Sequence, residues 1–236
     1  MPLIYSRNWP LSIIFKHLSD LSEHFLETLG RYGTEVDEGH KFDWPNYVFT
    51  SKTFRRAHLD IVDARKDKKL YMMHLCIFPH TDDISPIYGF DIIAGPNKVT
   101  GAFHDFSPLV HKDHYMGRYF AGKVKTVEWS KDRVLPEWAR NIFSKNMIAA
   151  GNIQTEEEMI QLTNIAKDTL LYYLNEVGRI REDDDSTEAQ NYYCHNQRQN
   201  PHTPKVMASL GLDPDQVSTF IETCLFPSVP LQDCSS

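Results

Sequence analysis

The sequence lacks the long apolar runs of a membrane protein. No stretch of its 236 residues approaches the roughly 20 consecutive apolar residues that cross a bilayer as a helix. The opening segment MPLIYSRNWP has neither a basic stretch followed by an apolar block nor an Arg-rich transit pattern. We therefore expect a cytoplasmic protein without membrane association.

Recognisable cofactor motifs are also missing. The four cysteines, Cys76, Cys194, Cys224 and Cys234, lack the close paired spacing of a zinc site or a redox pair, and we interpret them as reduced thiols. There is no glycine-rich phosphate loop, no dinucleotide fingerprint and no serine nucleophile elbow. If the protein performs redox chemistry, its sequence shows no site for a bound cofactor.

Clustered positive charge is scarce. The chain has 25 Lys and Arg against 32 Asp and Glu, a net charge of −7. Broad nucleic-acid binding is therefore not expected, because neutralising phosphates requires clustered Lys and Arg. The local basic patches in RRAH, RKDKK and KVK are typical of solvated faces, although such a patch can also bind an acidic partner.

Hydrophobic periodicity predicts helices on both sides of a block of strands. Apolar residues at helical spacing predict a first helix over 11–30, ending at Gly30. From 47 to 106, five short segments rich in β-branched and aromatic residues predict an antiparallel meander. Further helices are predicted over 135–147, 155–178, 189–199 and 213–226. This order predicts an α/β fold, a three-layer α/β/α sandwich with a central antiparallel sheet flanked by helices, in a single domain over 1–236.

One carboxylate lies inside an apolar strand segment, PIYGFDIIAGP. If the strands around His74 and Asp91 pair across the turn at Asp82–Asp83, residues whose numbers sum to about 165 face each other, and His74 falls opposite Asp91. The same reasoning around the turn at Asp67 places Asp60 opposite His74. The three side chains would form a row across three strands, on one face of the sheet.

Two chemical interpretations of this row stay open. Burial raises the pKa of a carboxyl group and lets neighbouring groups share protons, as in an acid–base site. The same residue types also bind divalent metals, as in a metal-dependent hydrolase, although their spacing matches no recognised signature. Each residue also has an ordinary structural explanation, as a hydrogen-bonded histidine or as an aspartate at a strand edge.

Several motifs in order carry a resemblance to a known family. FRRAHLDIVD, MHLCIFP, IYGFDIIAGP, HDFSP and LPEWARNIFS, followed by YYCHNQRQNPHTPKVMASLG and CLFP, resemble the ferredoxin-dependent bilin reductases from about Phe54 to Pro227. The resemblance implies an α/β/α sandwich that binds a bilin between the sheet and the C-terminal helices. It also implies no bound metal or organic cofactor, because reduced ferredoxin delivers single electrons and the protein supplies protons to bilin radical intermediates.

Matching motifs assign roles to the row. The resemblance implies that His74 and Asp91 contact the pyrrole nitrogens and lactam oxygens of the bilin and relay protons. At Asp60, the members that form phycocyanobilin have a glutamate that protonates the D-ring vinyl group. The shorter aspartate reaches less far, which favours reduction of the neighbouring methine bridge and of the A-ring.

A second departure lies near the C-terminus. Asn200 stands where many members have an aspartate associated with A-ring reduction, and a shift of one position would place Pro201 there. An amide is not a general acid near neutral pH, so the A-ring proton would come from Asp91, His202 or solvent. The resemblance also implies propionate anchors, for which the candidates are Thr100, Arg198 and Lys205.

These features together predict the four-electron reduction of biliverdin IXα to phycoerythrobilin through a dihydrobiliverdin intermediate. Phycocyanobilin is the alternative product, and a non-catalytic bilin carrier is the alternative class. We expect a monomer in the cytoplasm of a cyanobacterium or of a phage-infected host cell. The candidate docking surface for ferredoxin is the basic set Arg55, Arg56, Lys66, Lys68 and Lys69.

Overall fold

A computed structural model describes residues 13–181 and 185–230. Its first element is the helix α1 (Ile13–Tyr32), whose apolar face buries Leu18, Leu21 and Phe25. The predicted helix is confirmed, except that it continues through Gly30 to Tyr32, and its predicted first two residues lie outside the described part of the chain.

Seven strands form one antiparallel sheet in chain order. They are β1 (Thr34–Val36), β2 (Asn46–Thr50), β3 (Phe54–Ala64), β4 (Leu70–Pro79), β5 (Ile87–Ala94), β6 (Val99–Ser107) and β7 (Ile148–Ala150). The predicted meander is confirmed, but its first segment is divided between β2 and β3 by the turn at 51–53. The edge strands β1 and β7 were not predicted, because three residues are too few to show an alternating pattern.

In the part of the chain that the structure describes, six further helices follow the meander. They are α2 (Tyr115–Val124), α3 (Glu137–Arg140), α4 (Glu156–Glu176), α5 (Thr187–Gln197), α6 (His202–Ser209) and α7 (Pro214–Thr219), and α7 continues into a π-helical turn (Phe220–Leu225). Thr155 caps the start of α4, because its Oγ1 accepts a hydrogen bond from Glu158 N at 3.2 Å. Neither α2 nor α6 was predicted.

The helix predicted over 135–147 is wrong for most of its length. Only the four residues of α3 are helical. Ser144 N donates to Asp105 Oδ2 at 2.8 Å, whereas a continuing helix would require it to donate to the carbonyl of Arg140. A buried carboxylate on β6 therefore ends the helix and turns the chain toward β7.

The helices cover both faces of the sheet, as the α/β/α prediction requires. On one face, α1, α2 and α4 pack on alternate strand residues such as Leu75 and Phe90. On the other face, α5, α6, α7 and the π-helical turn pack on residues such as Cys76 and Phe78. In the parts of the chain that the structure describes, no helix is both long and apolar enough to span a bilayer.

Candidate active site

The predicted row of polar side chains is present in the sheet. Asp60 on β3 pairs with His74 on β4, and His74 pairs in turn with Asp91 on β5. The register inferred from the turn centres is therefore confirmed at both strand pairs. Because side chains alternate along a strand, the three residues share the sheet face that is opposite α1 and α4.

A cavity of about 1010 Å³ lies between this face and the second helical layer. Its floor is formed by strand residues that include His74, Asp91 and Phe103. Its walls come from three further segments, represented by Leu135, Trp138, Phe143, Asn200, His202, Phe220, Leu225 and Phe226. A large, mostly apolar cavity with a few convergent polar groups is typical of a site for a bulky organic ligand.

His74 and Asp91 form an ion-paired hydrogen bond, with 2.7 Å between His74 Nδ1 and Asp91 Oδ1. Burial lowers the pKa of His74, but the charge and hydrogen bond of Asp91, helped by the charge of Asp60, outweigh burial and raise it. The side chain of Asp91 is 43% exposed, whereas that of His74 is 10% exposed. The second ring nitrogen of His74, Nε2, is buried without a hydrogen-bond partner. The pair therefore presents one accessible carboxylate and one unsatisfied ring nitrogen.

Asp60 is buried and held by two donors. Its Oδ1 accepts from Trp44 Nε1 at 2.5 Å and from Asn46 Nδ2 at 3.2 Å. Burial raises the pKa of Asp60 to about 6, although the charge of His74 and both hydrogen bonds act in the opposite direction. A carboxyl group with this pKa is a competent proton donor near neutral pH.

A fourth polar residue of this face, His58, was missed from the sequence. Its ring centroid lies 5.6 Å from that of His74, and its Nε2 lies 3.0 Å from Asn46 Nδ2. Burial, followed by the positive charges of Arg56 and His74, lowers the pKa of His58 well below its usual value, so the ring is neutral. The signal was available, because His58 precedes Asp60 by two positions and so shares its face.

Three of the five candidate substrate-binding residues line the cavity: Thr100, Asn200 and His202. Thr100 Oγ1 donates to the carbonyl of Ile93 at 3.0 Å, and Asn200 Oδ1 accepts from His202 N at 3.0 Å. The Asn200 contact fixes the oxygen of the amide, which leaves its NH₂ group available as a donor.

Arg198 and Lys205, the other two candidates, do not line the cavity. The guanidinium of Arg198 donates to the carbonyls of Phe226 and Glu222 and thus holds the chain after the π-helical turn. Two arginines that the sequence did not single out, Arg133 and Arg140, line the cavity instead. Arg140 lies at the end of α3, and Arg133 lies in the loop before the segment 135–147, so the sequence pattern did not indicate that either side chain reaches the cavity.

The geometry favours the acid–base interpretation of the row over a metal site. Within 13–181 and 185–230, no group of three or more His, Cys, Asp or Glu side chains is placed to bind a metal ion. His74 Nδ1 is engaged by Asp91, while Asp60 is engaged by Trp44.

Of the predicted docking set, Arg56 is buried and Arg55 is partly buried. Arg56 is 5% exposed and donates to both carboxylate oxygens of Glu38, at 2.8 and 2.6 Å. Arg55 donates to Gln190 at 2.7 Å and lies 4.5 Å over the ring of Phe78. Arg56 is therefore structural, and its prediction as a ferredoxin contact is wrong, whereas Arg55 is partly exposed and its prediction as a contact stays a prediction.

Fold and site together define an α/β/α protein with a large, mostly apolar cavity against its sheet and titratable side chains on the floor of that cavity. The family model described as "Ferredoxin-dependent bilin reductase" matches residues 14–227. The chain belongs to this family.

Relatives in sequence are phycocyanobilin:ferredoxin oxidoreductases. The one from Gloeobacter violaceus is 29% identical over 198 residues, which cover 80% of this chain and 76% of the relative. The one from Trichodesmium erythraeum is 25% identical over 234 residues, which cover 96% of this chain and 94% of the relative.

Two solved structures share the fold. A structure of PcyX is 33% identical with a TM-score of 0.68, and the match covers 90% of this chain and 99% of the other. Tomato phytochromobilin synthase in complex with biliverdin has a TM-score of 0.68 at 15% identity, covering 90% and 82%, and it supports the fold alone. The predicted family, fold class and enzyme class are confirmed: this is an oxidoreductase that reduces a bilin with electrons from ferredoxin.

Proposed function

We propose that this enzyme reduces biliverdin IXα by four electrons to phycoerythrobilin, through a dihydrobiliverdin intermediate. The observation that carries the product is Asp60. Its short side chain is held by Trp44 and Asn46, so it cannot extend toward a vinyl group as a glutamate does. We assign Asp60 the protonation of the methine bridge beside the D-ring instead.

The cavity supports a tetrapyrrole as substrate. It has the size and the apolar walls for a bulky planar molecule, and its floor presents the exposed carboxylate of Asp91, which His74 holds in place through Nδ1. These groups match the pyrrole N–H groups and lactam oxygens that a bilin places along its inner edge. Arg133 and Arg140, which also line the cavity, suit the two propionates.

The chemistry requires alternating electron and proton transfers. Each of the two reductions consumes two electrons from ferredoxin and two protons, so the complete reaction takes four of each. An electron makes the bilin a radical anion, which is more basic than biliverdin, and Asp91 with His74 delivers the proton. Asp91 is then reprotonated through its exposed side, so it can act more than once.

The three sources of the A-ring proton that the sequence analysis named are still candidates. Asn200 lines the cavity but has no acidic proton. Asp91, His202 and solvent remain, and Asn200 contributes by orienting a carbonyl or a water.

Chromatographic identification of the product tests this proposal. Biliverdin is incubated anaerobically with the enzyme and reduced ferredoxin, and phycoerythrobilin is the expected product. Phycocyanobilin would overturn the product assignment. A biliverdin spectrum that stays unchanged with reduced ferredoxin would overturn the activity and favour a carrier.

Lengthening the side chain at position 60 should change the product. We expect Asp60→Glu to bring the acid closer to the D-ring vinyl group and to raise the phycocyanobilin share of the product about tenfold. Asp63→Glu is the matched control, since Asp63 lies on the same strand, is exposed and pairs with Arg65. An Asp60→Glu enzyme of normal rate and unchanged product would contradict the role of this side chain in product choice.

We also propose that ferredoxin docks at the rim of the cavity. Lys98, Lys131 and Arg133 line a smaller adjoining cavity of about 530 Å³ that shares Thr100 with the main one, and Val134 beside them is 94% exposed. An exposed apolar residue among cations suits an acidic partner, and this rim brings its iron–sulfur cluster near the substrate.

Charge reversal tests this docking surface. Lys98→Glu with Lys131→Glu should raise the KM for ferredoxin about tenfold, weaken its dependence on salt and leave the KM for biliverdin unchanged. Lys16→Glu with Lys52→Glu, two exposed lysines elsewhere, is the charge-matched control. If the two double variants raised the KM for ferredoxin equally, the change in net charge alone would explain the effect. That result would contradict docking at the rim.

A further inference from the structure

The two oxygens of Asp60 have different surroundings. Oδ1 accepts both the indole N–H of Trp44 and the amide N–H of Asn46. Oδ2 forms no hydrogen bond within the described residues, and it is not among their buried polar atoms that lack a partner. Since Asp60 lines the cavity, Oδ2 is the oxygen that remains accessible from it.

We propose that Trp44 and Asn46 are positioning residues that direct the acidic proton of Asp60 to Oδ2, where the substrate binds. This inference rests on the proposed role of Asp60 as proton donor. An indole nitrogen only donates, so the Trp44 contact requires a lone pair on Oδ1. With two donors aimed at Oδ1, the proton of the neutral acid is placed on the other oxygen.

Asn46 is itself fixed by its neighbours. Its Nδ2 lies 3.0 Å from His58 Nε2 as well as near Asp60, and because His58 is neutral, Nε2 accepts and the ring proton lies on Nδ1. Cys224 Sγ lies 3.4 Å from the same Nδ2. Burial raises the pKa of Cys224 to about 12, so the thiol stays protonated. The two N–H protons of the amide point at Asp60 Oδ1 and His58 Nε2, and the Cys224 thiol donates to Asn46 Oδ1 at 3.7 Å, so contacts at both ends of the amide set its orientation.

Trp44 and Asn46 also assist the transfer of the proton from Asp60 to the substrate. When Asp60 protonates the one-electron-reduced bilin, the Oδ2–H bond breaks, a C–H bond forms at the methine carbon, and Asp60 becomes a carboxylate. The electron that balances this step comes from ferredoxin. Trp44 and Asn46 then stabilise the new charge on Asp60, because hydrogen bonds to a charged group are stronger than those to a neutral one.

The titration of Asp60 reports on the hydrogen bond from Trp44. Burial raises the pKa of Asp60, His74 on β4 lowers it, the Trp44 and Asn46 hydrogen bonds lower it, and Asp91 on β5 raises it. Cys224, in the π-helical turn, also faces Asp60 but stays uncharged. Removing the indole N–H therefore raises the pKa of Asp60, and activity that requires the protonated acid persists to higher pH.

The test compares Trp44→Phe with Asp60→Asn and with Phe42→Leu. Trp44→Phe keeps an aromatic ring between Phe42 and Phe220 but removes the N–H. We expect its kcat to fall about tenfold with the KM for biliverdin unchanged, and the alkaline midpoint of kcat to move up by about one pH unit. Phe42→Leu disturbs the packing alone and should leave this midpoint in place. In Asp60→Asn the decrease of kcat toward alkaline pH should be absent.

Each outcome decides between the inference and the proposed function. A Trp44→Phe enzyme with wild-type kcat and midpoint, beside an impaired Asp60→Asn enzyme, overturns the inference alone. An Asp60→Asn enzyme that works at the wild-type rate overturns the role of Asp60 in the proposed function. A shift of equal size in Phe42→Leu assigns the effect to packing and also overturns the inference. Should Trp44→Phe fail to fold, Asn46→Leu must show the same upward shift for the inference to stand.

Discussion

Asp91→Asn should reduce turnover at least 100-fold while biliverdin binding is retained. The amide has nearly the shape of the carboxylate and can still contact His74, but it cannot release or take up a proton. Positioned acid–base groups contribute about 10² to 10⁴ in rate, which sets the expected loss. Single-turnover spectra with reduced ferredoxin measure the rate, and absorbance titration with biliverdin measures the affinity.

The control for this variant is Asp67→Asn, which makes the same chemical change on the exposed turn between β3 and β4. It should leave both rate and affinity unchanged. If Asp91→Asn formed product at the wild-type rate, Asp91 would not be the proton relay.

Arg56→Gln should lower the free energy of unfolding by about 2–4 kcal/mol. Arg56 is buried, and besides binding Glu38 it donates to the carbonyl of Cys224 at 2.8 Å. Removing it leaves a half-buried carboxylate and a buried carbonyl without their partner. Because Cys224 belongs to the π-helical turn that carries Phe220 and Leu225 into the cavity, biliverdin affinity should fall as well.

Urea denaturation of the substrate-free protein measures this loss. The control is Lys123→Gln, which breaks the ion pair with Asp168, whose side chains are 38% and 60% exposed. Exposed pairs contribute under about 1 kcal/mol, so the control should lose little. Equal losses in the two variants would show that Arg56 is not a structural anchor.

The row formed by Asp60, His74 and Asp91 was predictable because hairpin geometry determines which residues of two strands pair. Side chains alternate with a period of two, and a polar turn between two strands sets which residues face each other. Asp60, His74 and Asp91 lie on three consecutive strands, so two turn centres were enough to align them. The roles of these residues rest on the family resemblance and on the proposals made above.

The surroundings of the row were not predictable, because they come from distant parts of the chain. His58 and Cys224 are 166 positions apart in sequence, yet Sγ lies 3.5 Å from Nε2. Arg56 reads as a surface charge in RRAH, and only the folded position of Glu38 shows that it is buried. Ser144 lies in a helical pattern that a hydrogen bond to Asp105 overrides.

The central claim is that ferredoxin supplies electrons while Asp91 and His74 supply protons. It is tested most directly by adding one equivalent of reduced ferredoxin to biliverdin-loaded Asp91→Asn enzyme, without oxygen, and recording its electron paramagnetic resonance spectrum. We predict a persistent organic radical signal, because the electron arrives and the proton does not. A radical that decays to reduced bilin as fast as in the wild type would contradict the account.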